Sequence, residues 1–324
     1  MTPPPDRPRK PEWLRVRLPG GEAQARFAEV RERFHARDLH TVCEEARCPN
    51  IFECWGQGTA TIMILGETCT RGCKFCSVKS GNPGGYVDPR EPEKTALSLK
   101  EMGLGYVVMT MVDRDDLLDG GARHIVRTIE RIRHHCPDLR VETLLGDFQG
   151  VRRDVETVVR EGAPDVYAHN VEVVPRLQKT IRDPRCSWER SIDVLKWAKA
   201  AGSPVTKSSL MLGLGETRDE VLDAMCGLRA ADVDVLTIGQ YLQPNARLAP
   251  VVRYVPPDEF AELKERALEL GFAFVASGPL VRSSYRAAEA FLSGVLDARD
   301  GERSTGGPAG VDRYGRKEPA SVVS

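Results

Sequence analysis

The amino-acid sequence predicts an α/β fold built from parallel strand–helix units, and two observations carry this prediction. From residue 60 onward, short apolar runs of strand length alternate with segments whose apolar residues recur at helical spacing. The gaps between successive runs are long enough to hold a helix each, as parallel strands require. The seven candidate strands span residues 61–65, 106–110, 141–145, 166–170, 205–212, 235–240 and 272–277. This alternation is typical of a barrel or of a doubly wound sheet, and periodicity alone leaves both open.

Several of the intervening segments carry helix signals of their own. Ile125, Ile129 and Ile132 share one face of a helical projection, which predicts an amphipathic helix packed on the sheet. Thr217 followed by Glu220 is the pattern of a capping box and predicts a helix that starts there. Glycines also stand where helix ends favour a left-handed residue, and these are Gly103, Gly162, Gly202 and Gly271.

Residues 60–288 form the predicted main domain, with an extension on each side. The N-terminal extension, residues 1–59, contains an apolar stripe that begins at Phe27 and predicts a helix packed on the main domain. The C-terminal segment, residues 289–324, is polar, rich in Gly and Pro and almost free of large apolar side chains. That composition predicts a disordered tail.

The charge balance and the apolar runs exclude several broad classes of function. Lys and Arg total 46 and Asp and Glu total 47, so a net charge of -1 gives no general attraction to nucleic acid or to an anionic membrane. No apolar run approaches the ~20 residues that cross a bilayer, and the Pro-rich, basic start lacks the pattern of a signal segment. We therefore expect a cytoplasmic protein whose partners include neither nucleic acid nor membrane. In a reducing compartment, clustered cysteines serve more often as metal ligands or catalytic thiols than as disulfides.

One cysteine group follows the first predicted strand directly. Cys69, Cys73 and Cys76 have the spacing C-x3-C-x2-C, and loops after the carboxyl ends of parallel strands are where such folds collect their chemistry. Thiolates select zinc, Cu(I) or iron–sulfur clusters, and a closed zinc site needs four ligands. Three thiolates on one short loop suit a 4Fe-4S cluster with one open iron, while a zinc loop that borrows a distant ligand is the alternative.

A second group precedes that strand. Cys43, Cys48 and Cys54 have the spacing C-x4-C-x5-C, which differs from the plant ferredoxin pattern. Taken alone, this triad also fits a zinc site or disulfide partners.

The two cysteine groups together resemble a known family. The group at 69–76, with Phe75 before its last cysteine, is similar to the signature of the radical S-adenosylmethionine (SAM) superfamily, and its pairing with the earlier triad resembles lipoyl synthases. The resemblance covers roughly residues 38–288. It is carried by "DRDDLLDGGARH" (113–124), "VETLLGDFQG" (141–150), "AHNVEVVPRL" (168–177), "TKSSLMLGLGET" (206–217), "QYLQPN" (240–245), "RYVPPDEF" (253–260) and "GPLVRSSYRA" (278–287).

The resemblance implies a fold, a reaction and a ligand set. The fold is a partial (β/α)6 TIM-like barrel of the radical SAM type with N-terminal and C-terminal extensions. The reaction is the insertion of two sulfur atoms at C6 and C8 of a protein-bound octanoyl-lysine, with SAM and two 4Fe-4S clusters as cofactors. The later cysteine group holds the cluster that binds SAM. The earlier triad, with Ser284 of the Arg-Ser-Ser-Tyr block as fourth ligand, holds the auxiliary cluster that donates sulfur.

The resemblance also suggests contacts to SAM and a set of partners. Gly120 and Gly121 follow the second strand, where bare backbone would meet the methionine amino group, and Asn170 and Lys207 are expected to face the barrel mouth. His169 and Glu172 are interpreted as buried hydrogen-bonding residues. The expected partners are octanoylated lipoyl carrier domains (dehydrogenase E2 subunits and the glycine cleavage H protein), an electron donor and a cluster-repair protein.

Three alternatives stay open at this point. The first is another radical SAM enzyme that inserts sulfur or dehydrogenates its substrate. The second is a non-catalytic metal-binding or electron-transfer protein, for which seven strands are more scaffold than the task needs. The third is a protein that keeps the fold, has lost its activity and binds carrier domains. The cysteines outside both groups are assigned no functional role and are expected to be structural; they are Cys136, Cys186 and Cys226.

Overall fold

The computed structural model describes residues 61–284 without a gap. N-terminal to these it describes residues 9–15, 21, 24–25, 27–29, 31–32, 40–41, 44, 48, 50–51 and 55. The predicted tail at 289–324 lies outside the described residues, and the predicted domain boundaries stay predictions.

The described part of the chain contains seven parallel strands, as the sequence predicts. They are β1 (Thr61–Ile64), β2 (Tyr106–Met111), β3 (Arg140–Leu144), β4 (Val166–Ala168), β5 (Val205–Leu212), β6 (Val235–Gln240) and β7 (Phe274–Gly278). The order along the sheet equals the order along the chain. A doubly wound sheet reverses its strand order at a switch point, so this order decides for the barrel type.

A helix fills each gap between consecutive strands. The helices are α1 (Glu91–Met102), α2 (Ala122–His135), α3 (Arg152–Thr157), α4 (Gln178–Ile181), α5 (Trp188–Ala200), α6 (Arg218–Ala230) and α7 (Pro257–Glu269). Short helical turns span Glu12–Leu14, Phe148–Gly150, Val158–Gly162 and Pro175–Leu177. The described chain thus forms six βα units followed by β7, and the predicted (β/α)6 arrangement is confirmed.

The sheet stays open, which makes the barrel a partial one. Residues His40–Thr41 pair antiparallel with the outer edge of β1, and among the described strands β7 pairs with β6 alone. A separate short ladder joins Thr68–Cys69 to Lys79–Ser80 in the loop after β1. No helix in the described ranges is long and apolar enough to span a bilayer.

The helix signals in the sequence are largely confirmed. Ile125, Ile129 and Ile132 are buried between α2 and the sheet, and Thr217 forms both halves of a capping box at the start of α6. Gly162 is the exception among the glycines, because the left-handed position after the third helix belongs to Ala163 at φ 46°. A Cβ on Gly162 would lie 2.9 Å from Ile129 Cδ1, so close packing explains this glycine.

The amino ends of the strands are closed by side chains. Tyr106, Val166, Val205 and Val235 are each the first residue of their strand, and they pack in one apolar cluster. Because side chains fill the amino end of the barrel, we look for the functional site at the carboxyl ends of the strands.

Candidate active site

A cavity of about 520 Å³ lies at the carboxyl ends of the strands. Its wall includes Val112 and Asp113 after β2, Leu145 after β3, Asn170 after β4 and Tyr241 after β6. This is the end of a βα barrel where catalytic groups assemble.

The cavity brings together most of the predicted site residues. Cys69, Cys73 and Cys76 line it, as do Phe75 and Asn170. The same wall contains one cysteine of the earlier triad and the serine of the C-terminal block, Cys48 and Ser284. Residues of the N-terminal extension and of the C-terminal block therefore line the same cavity.

Neighbouring loops fix the backbone of the cysteine loop. Thr70 N donates to Asp113 O at 2.9 Å, and Lys74 N donates to Ile181 O at 2.7 Å. Gly72 N donates to Asp183 Oδ2 at 2.8 Å. The loops after β2 and β4 thus hold the backbone of the cysteine loop in place.

Backbone amides also reach two of the sulfurs. Arg71 N donates to Cys69 Sγ at 3.4 Å, and Asp183 N donates to Cys73 Sγ at 3.3 Å. Burial and the nearby Asp113 carboxylate raise the pKa of Cys69 to about 11, and a hydrogen bond with Cys186 and burial raise the pKa of Cys73. Metals bind the thiolate form of cysteine, so metal binding would have to offset these effects and release the two protons.

Arg71 forms a buried ionic network that the sequence interpretation missed. Its Nη2 donates to Asp115 Oδ1 at 2.8 Å and to Asp147 Oδ1 at 2.6 Å, and its Nε donates to Asp115 Oδ2 at 3.0 Å. Burial acts to raise the pKa of Asp147, but the Arg71 hydrogen bond and charge outweigh it and lower the pKa. The charged residue inside "CTRGC" was the available signal, because a guanidinium on a buried loop needs a carboxylate partner.

Two buried polar atoms on the cavity wall lack a partner among the described residues. Asn170 Nδ2 donates to Glu172 Oε1 at 3.1 Å, but Asn170 Oδ1 accepts no hydrogen bond. Arg182 Nε is likewise unpaired. Both residues line the cavity. The Asn170 oxygen can accept from an amino or hydroxyl group, and the Arg182 nitrogen can donate to a carboxylate. SAM has all three of these groups, so the two atoms fit this cofactor.

His169 has the buried hydrogen-bonding role that the sequence suggested. Its Nδ1 lies 2.8 Å from Leu145 O, and its Nε2 lies 2.9 Å from Ser191 Oγ. Burial and the Arg182 charge lower the pKa of His169 to about 4. The ring is therefore neutral at physiological pH and holds the loop after β3 against α5.

Lys207 lies away from the cavity, and the prediction that it faces the mouth is wrong. It is paired in the sheet with Val235, the first residue of β6, near the amino end of the barrel. Its Nζ donates to Glu142 Oε1 at 2.8 Å and Oε2 at 3.0 Å. Lys207 was misplaced because a strand sequence gives the face of a residue but not its depth along the barrel.

Gly120 and Gly121 are also absent from the cavity wall. They adopt φ of 58° and 92°, and Gly121 N donates to Asp119 Oδ1 at 2.9 Å at the start of α2. A Cβ on Gly121 would lie 2.5 Å from Leu65 Cδ1. Backbone conformation and packing account for this glycine pair.

The N-terminal segment is tied to the C-terminal block beside the cavity. Asn50 Nδ2 donates to Leu280 O at 2.7 Å. Burial raises the pKa of Cys48, and the Arg282 charge opposes this effect. Cys43 and Cys54 lie outside the described residues, and the described part of the chain contains no set of three His, Cys, Asp or Glu side chains placed to hold a single metal ion.

Comparisons with known proteins match these features. The model of the radical SAM superfamily matches residues 63–225, and the model of the N-terminal domain of lipoyl synthase matches residues 3–48. The chain is 55% identical over 303 residues to a lipoyl synthase of Sorangium cellulosum, covering 89% of this chain and 80% of that one. It is 53% identical over 309 residues to a mitochondrial lipoyl synthase of Uncinocarpus reesii, covering 94% and 73%.

A solved structure shares the fold. Streptococcus suis SuiB bound to S-adenosylmethionine superposes with a TM-score of 0.52 at 10% identity, covering 71% of this chain and 55% of that one. The match in fold, the two family models and the identity over nine tenths of the chain agree with the cavity built from both cysteine regions. The chain therefore belongs to the lipoyl synthase family of radical SAM enzymes.

Proposed function

We propose that Cys69, Cys73 and Cys76 ligate the 4Fe-4S cluster that binds SAM in this lipoyl synthase family member. The family uses SAM and 4Fe-4S clusters and catalyses sulfur insertion. The proposal is supported by three thiols on the wall of one cavity, on a loop that follows β1. Amides directed at two of the sulfurs favour the thiolate state that iron requires.

We also propose that Cys43, Cys48, Cys54 and Ser284 ligate the auxiliary cluster. The single observation that carries the assignment is that Cys48 and Ser284 line the same cavity as the three cysteines of the later group. The Asn50–Leu280 hydrogen bond supports it, since it holds the two segments together. A serine oxygen would be a hard ligand on a site otherwise built of soft sulfur, and it would therefore be the most easily displaced of the four ligands.

The reaction inserts sulfur at C6 and C8 of an octanoyl chain, where the C–H bonds are unactivated and no side-chain acid or base removes hydrogen. The bound cofactors supply one-electron bond cleavage and the sulfide, which are chemistries that amino acids lack. The protein binds and orients the substrate. Met63, Met111, Leu145 and Leu210 give the cavity an apolar wall that suits an alkyl chain and excludes water.

For SAM itself, we propose contacts from Asn170 and Phe75. Asn170 offers an unpaired Oδ1, and Phe75 stands on the cavity wall between two of the cluster cysteines. Arg182 adds an unpaired Nε that suits a carboxylate. Gly120, Gly121 and Lys207 are not part of this proposal.

Lipoyl synthases act on lipoyl carrier proteins. For this chain we propose octanoylated domains of dehydrogenase E2 subunits and the glycine cleavage H protein as carriers, with an electron donor and a cluster-repair protein as further partners. A cytoplasmic location is proposed as well, and localisation of the tagged chain in its native cell tests it.

The assignment is tested anaerobically. The reconstituted chain is given SAM, a strong reductant and an octanoyl-lysyl carrier domain, and the carrier is followed by mass spectrometry. We expect two hydrogens to be replaced by two sulfurs. Cys69→Ala should abolish SAM cleavage and sulfur insertion together, whereas Cys48→Ala should cleave SAM without modifying the carrier.

Cys226→Ala is the matched control, because Cys226 is exposed on α6. It should retain both activities. Sulfur insertion by Cys48→Ala at the wild-type rate would refute the auxiliary ligand set, and SAM cleavage by Cys69→Ala would refute the first one.

A further inference from the structure

The chain turns back over the carboxyl end of the barrel directly after the last strand. β7 ends at Gly278, and Val281 N donates to Gly278 O at 3.1 Å, which closes a reverse turn. Residues 279–284 form what we call the return segment, and its last four residues line the cavity. The turn therefore brings Ser284, a proposed ligand of the auxiliary cluster, to the cavity wall.

The return segment lies against Gly239 of β6, with no room for a side chain between them. Gly239 is paired in the sheet with Gly278. A Cβ on Gly239 would lie 2.2 Å from Val281 O, 3.1 Å from Val281 C and 3.6 Å from Arg282 Nη1. Non-bonded carbon atoms pack best at about 3.5–4.0 Å. Any side chain at position 239 would therefore push the Val281 carbonyl away from β6.

Backbone conformation gives no separate reason for a glycine at position 239. Gly239 lies inside a strand and outside the left-handed region. In a strand conformation alanine fits as well as glycine and loses less conformational freedom on folding. The three atoms nearest to an added Cβ all belong to the return segment. The close approach of this segment is therefore what requires glycine.

Hydrogen bonds to two successive carbonyls also hold the return segment. Val281 O accepts from Arg282 Nη1 at 2.7 Å, and Leu280 O accepts from Asn50 Nδ2 at 2.7 Å. Asn50 is 2% exposed and stands two residues after Cys48, which lines the same cavity. A buried amide that loses its partner destabilises the fold, so the return segment and the N-terminal cysteine region hold each other in register.

We propose that Gly239 is a positioning residue for the auxiliary cluster, because the space it leaves beside β6 lets the return segment bring Ser284 next to Cys48. This inference rests on the proposed auxiliary ligand set. Metal–ligand distances tolerate deviations of only about 0.2 Å, so a methyl group that displaces the return segment would remove the serine oxygen from that set. The cysteines at 69–76 lie on the loop after β1 and should keep their cluster.

The test measures how fast the reconstituted full-length protein releases iron to a ferrous chelator, with SAM present to protect the other cluster. Gly239→Ala should release iron about tenfold faster than the wild type, and so should Ser284→Ala. The double variant should be no faster than either single variant, because both changes remove the same ligand. Gly278→Ala is the matched control, since a Cβ there would lie 3.4 Å from Val281 Cγ2, an ordinary contact.

Amide hydrogen exchange in the metal-free chain tests the contact itself. The Val281 amide should exchange faster in Gly239→Ala and at the wild-type rate in Gly278→Ala. Wild-type exchange and iron release in Gly239→Ala, or additive effects in the double variant, would overturn the proposal. If Gly239→Ala does not fold, Asn50→Ala replaces it in the same comparison, and additivity with Ser284→Ala is then the overturning result. Wild-type iron release in Ser284→Ala would remove the proposed auxiliary ligand set and this inference together, whereas a fast Ser284→Ala beside a slow Gly239→Ala overturns the inference alone.

Discussion

The buried ion pair of Lys207 and Glu142 allows a direct measure of what stabilises the amino end of the barrel. The two side chains are 2% and 1% exposed, and the Tyr106 hydroxyl also donates to Glu142 Oε2 at 2.7 Å. Lys207→Met removes the cation and leaves a buried carboxylate without its counter-charge. We expect the free energy of unfolding to fall by about 3–5 kcal/mol.

Urea unfolding of the wild type, Lys207→Met and the double variant Lys207→Met/Glu142→Gln provides the assay. The glutamine removes the charge and keeps an acceptor for Tyr106, so the double variant should recover at least half of the loss. A loss below about 1 kcal/mol in the single variant, or no recovery in the double, would refute the reasoning. The double variant should also bind SAM with wild-type affinity, because the pair lies at the opposite end of the barrel from the cavity.

Three further predictions concern Gly121, Arg71 and His169. Gly121→Ala should destabilise the fold by about 2–4 kcal/mol in urea titrations, since φ is 92° and a Cβ would meet Leu65 at 2.5 Å; an unchanged midpoint would contradict this. Arg71→Met should leave Asp115 and Asp147 without their buried counter-charge, so iron content after reconstitution should drop severalfold, and wild-type loading would disprove the role of this network. The pKa of His169 is about 4 in the folded protein and 6.5 in the unfolded chain. Above pH 6.5 the ring is neutral in both states and its contribution to stability is complete. As the pH falls from 6.5 to 4, protonation of the unfolded chain lowers the free energy of unfolding by about 3 kcal/mol. Burial raises the pKa of Asp113 to about 6, which acts in the opposite direction, so the measurement is the difference between the stability curves of wild type and His169→Gln; superimposable curves would refute the assignment.

The sequence by itself determined the strands, the helices and the location of the chemistry, because each depends on local pattern. Short strands rich in apolar residues and helices with one apolar face are specified by neighbours along the chain. The position of the cysteines at 69–76 also follows from local sequence. A loop directly after a parallel strand lies at the carboxyl end of the barrel, and the spacing of the cysteines can be read from the chain. The family resemblance added Ser284, which no local pattern singles out.

Tertiary structure alone decided between a barrel and a doubly wound sheet, since strand order is a matter of pairing between distant segments. Tertiary structure also determined that Lys207 lies near the amino end of the barrel and that Gly121 and Gly162 are closely packed. The depth of a residue along the barrel and the space beside a glycine both depend on residues far away in the chain. Arg71 illustrates the same limit. Its partners Asp115, Asp147 and Cys186 come from the loops after β2, β3 and β4, and only folding brings those loops to the cysteine loop.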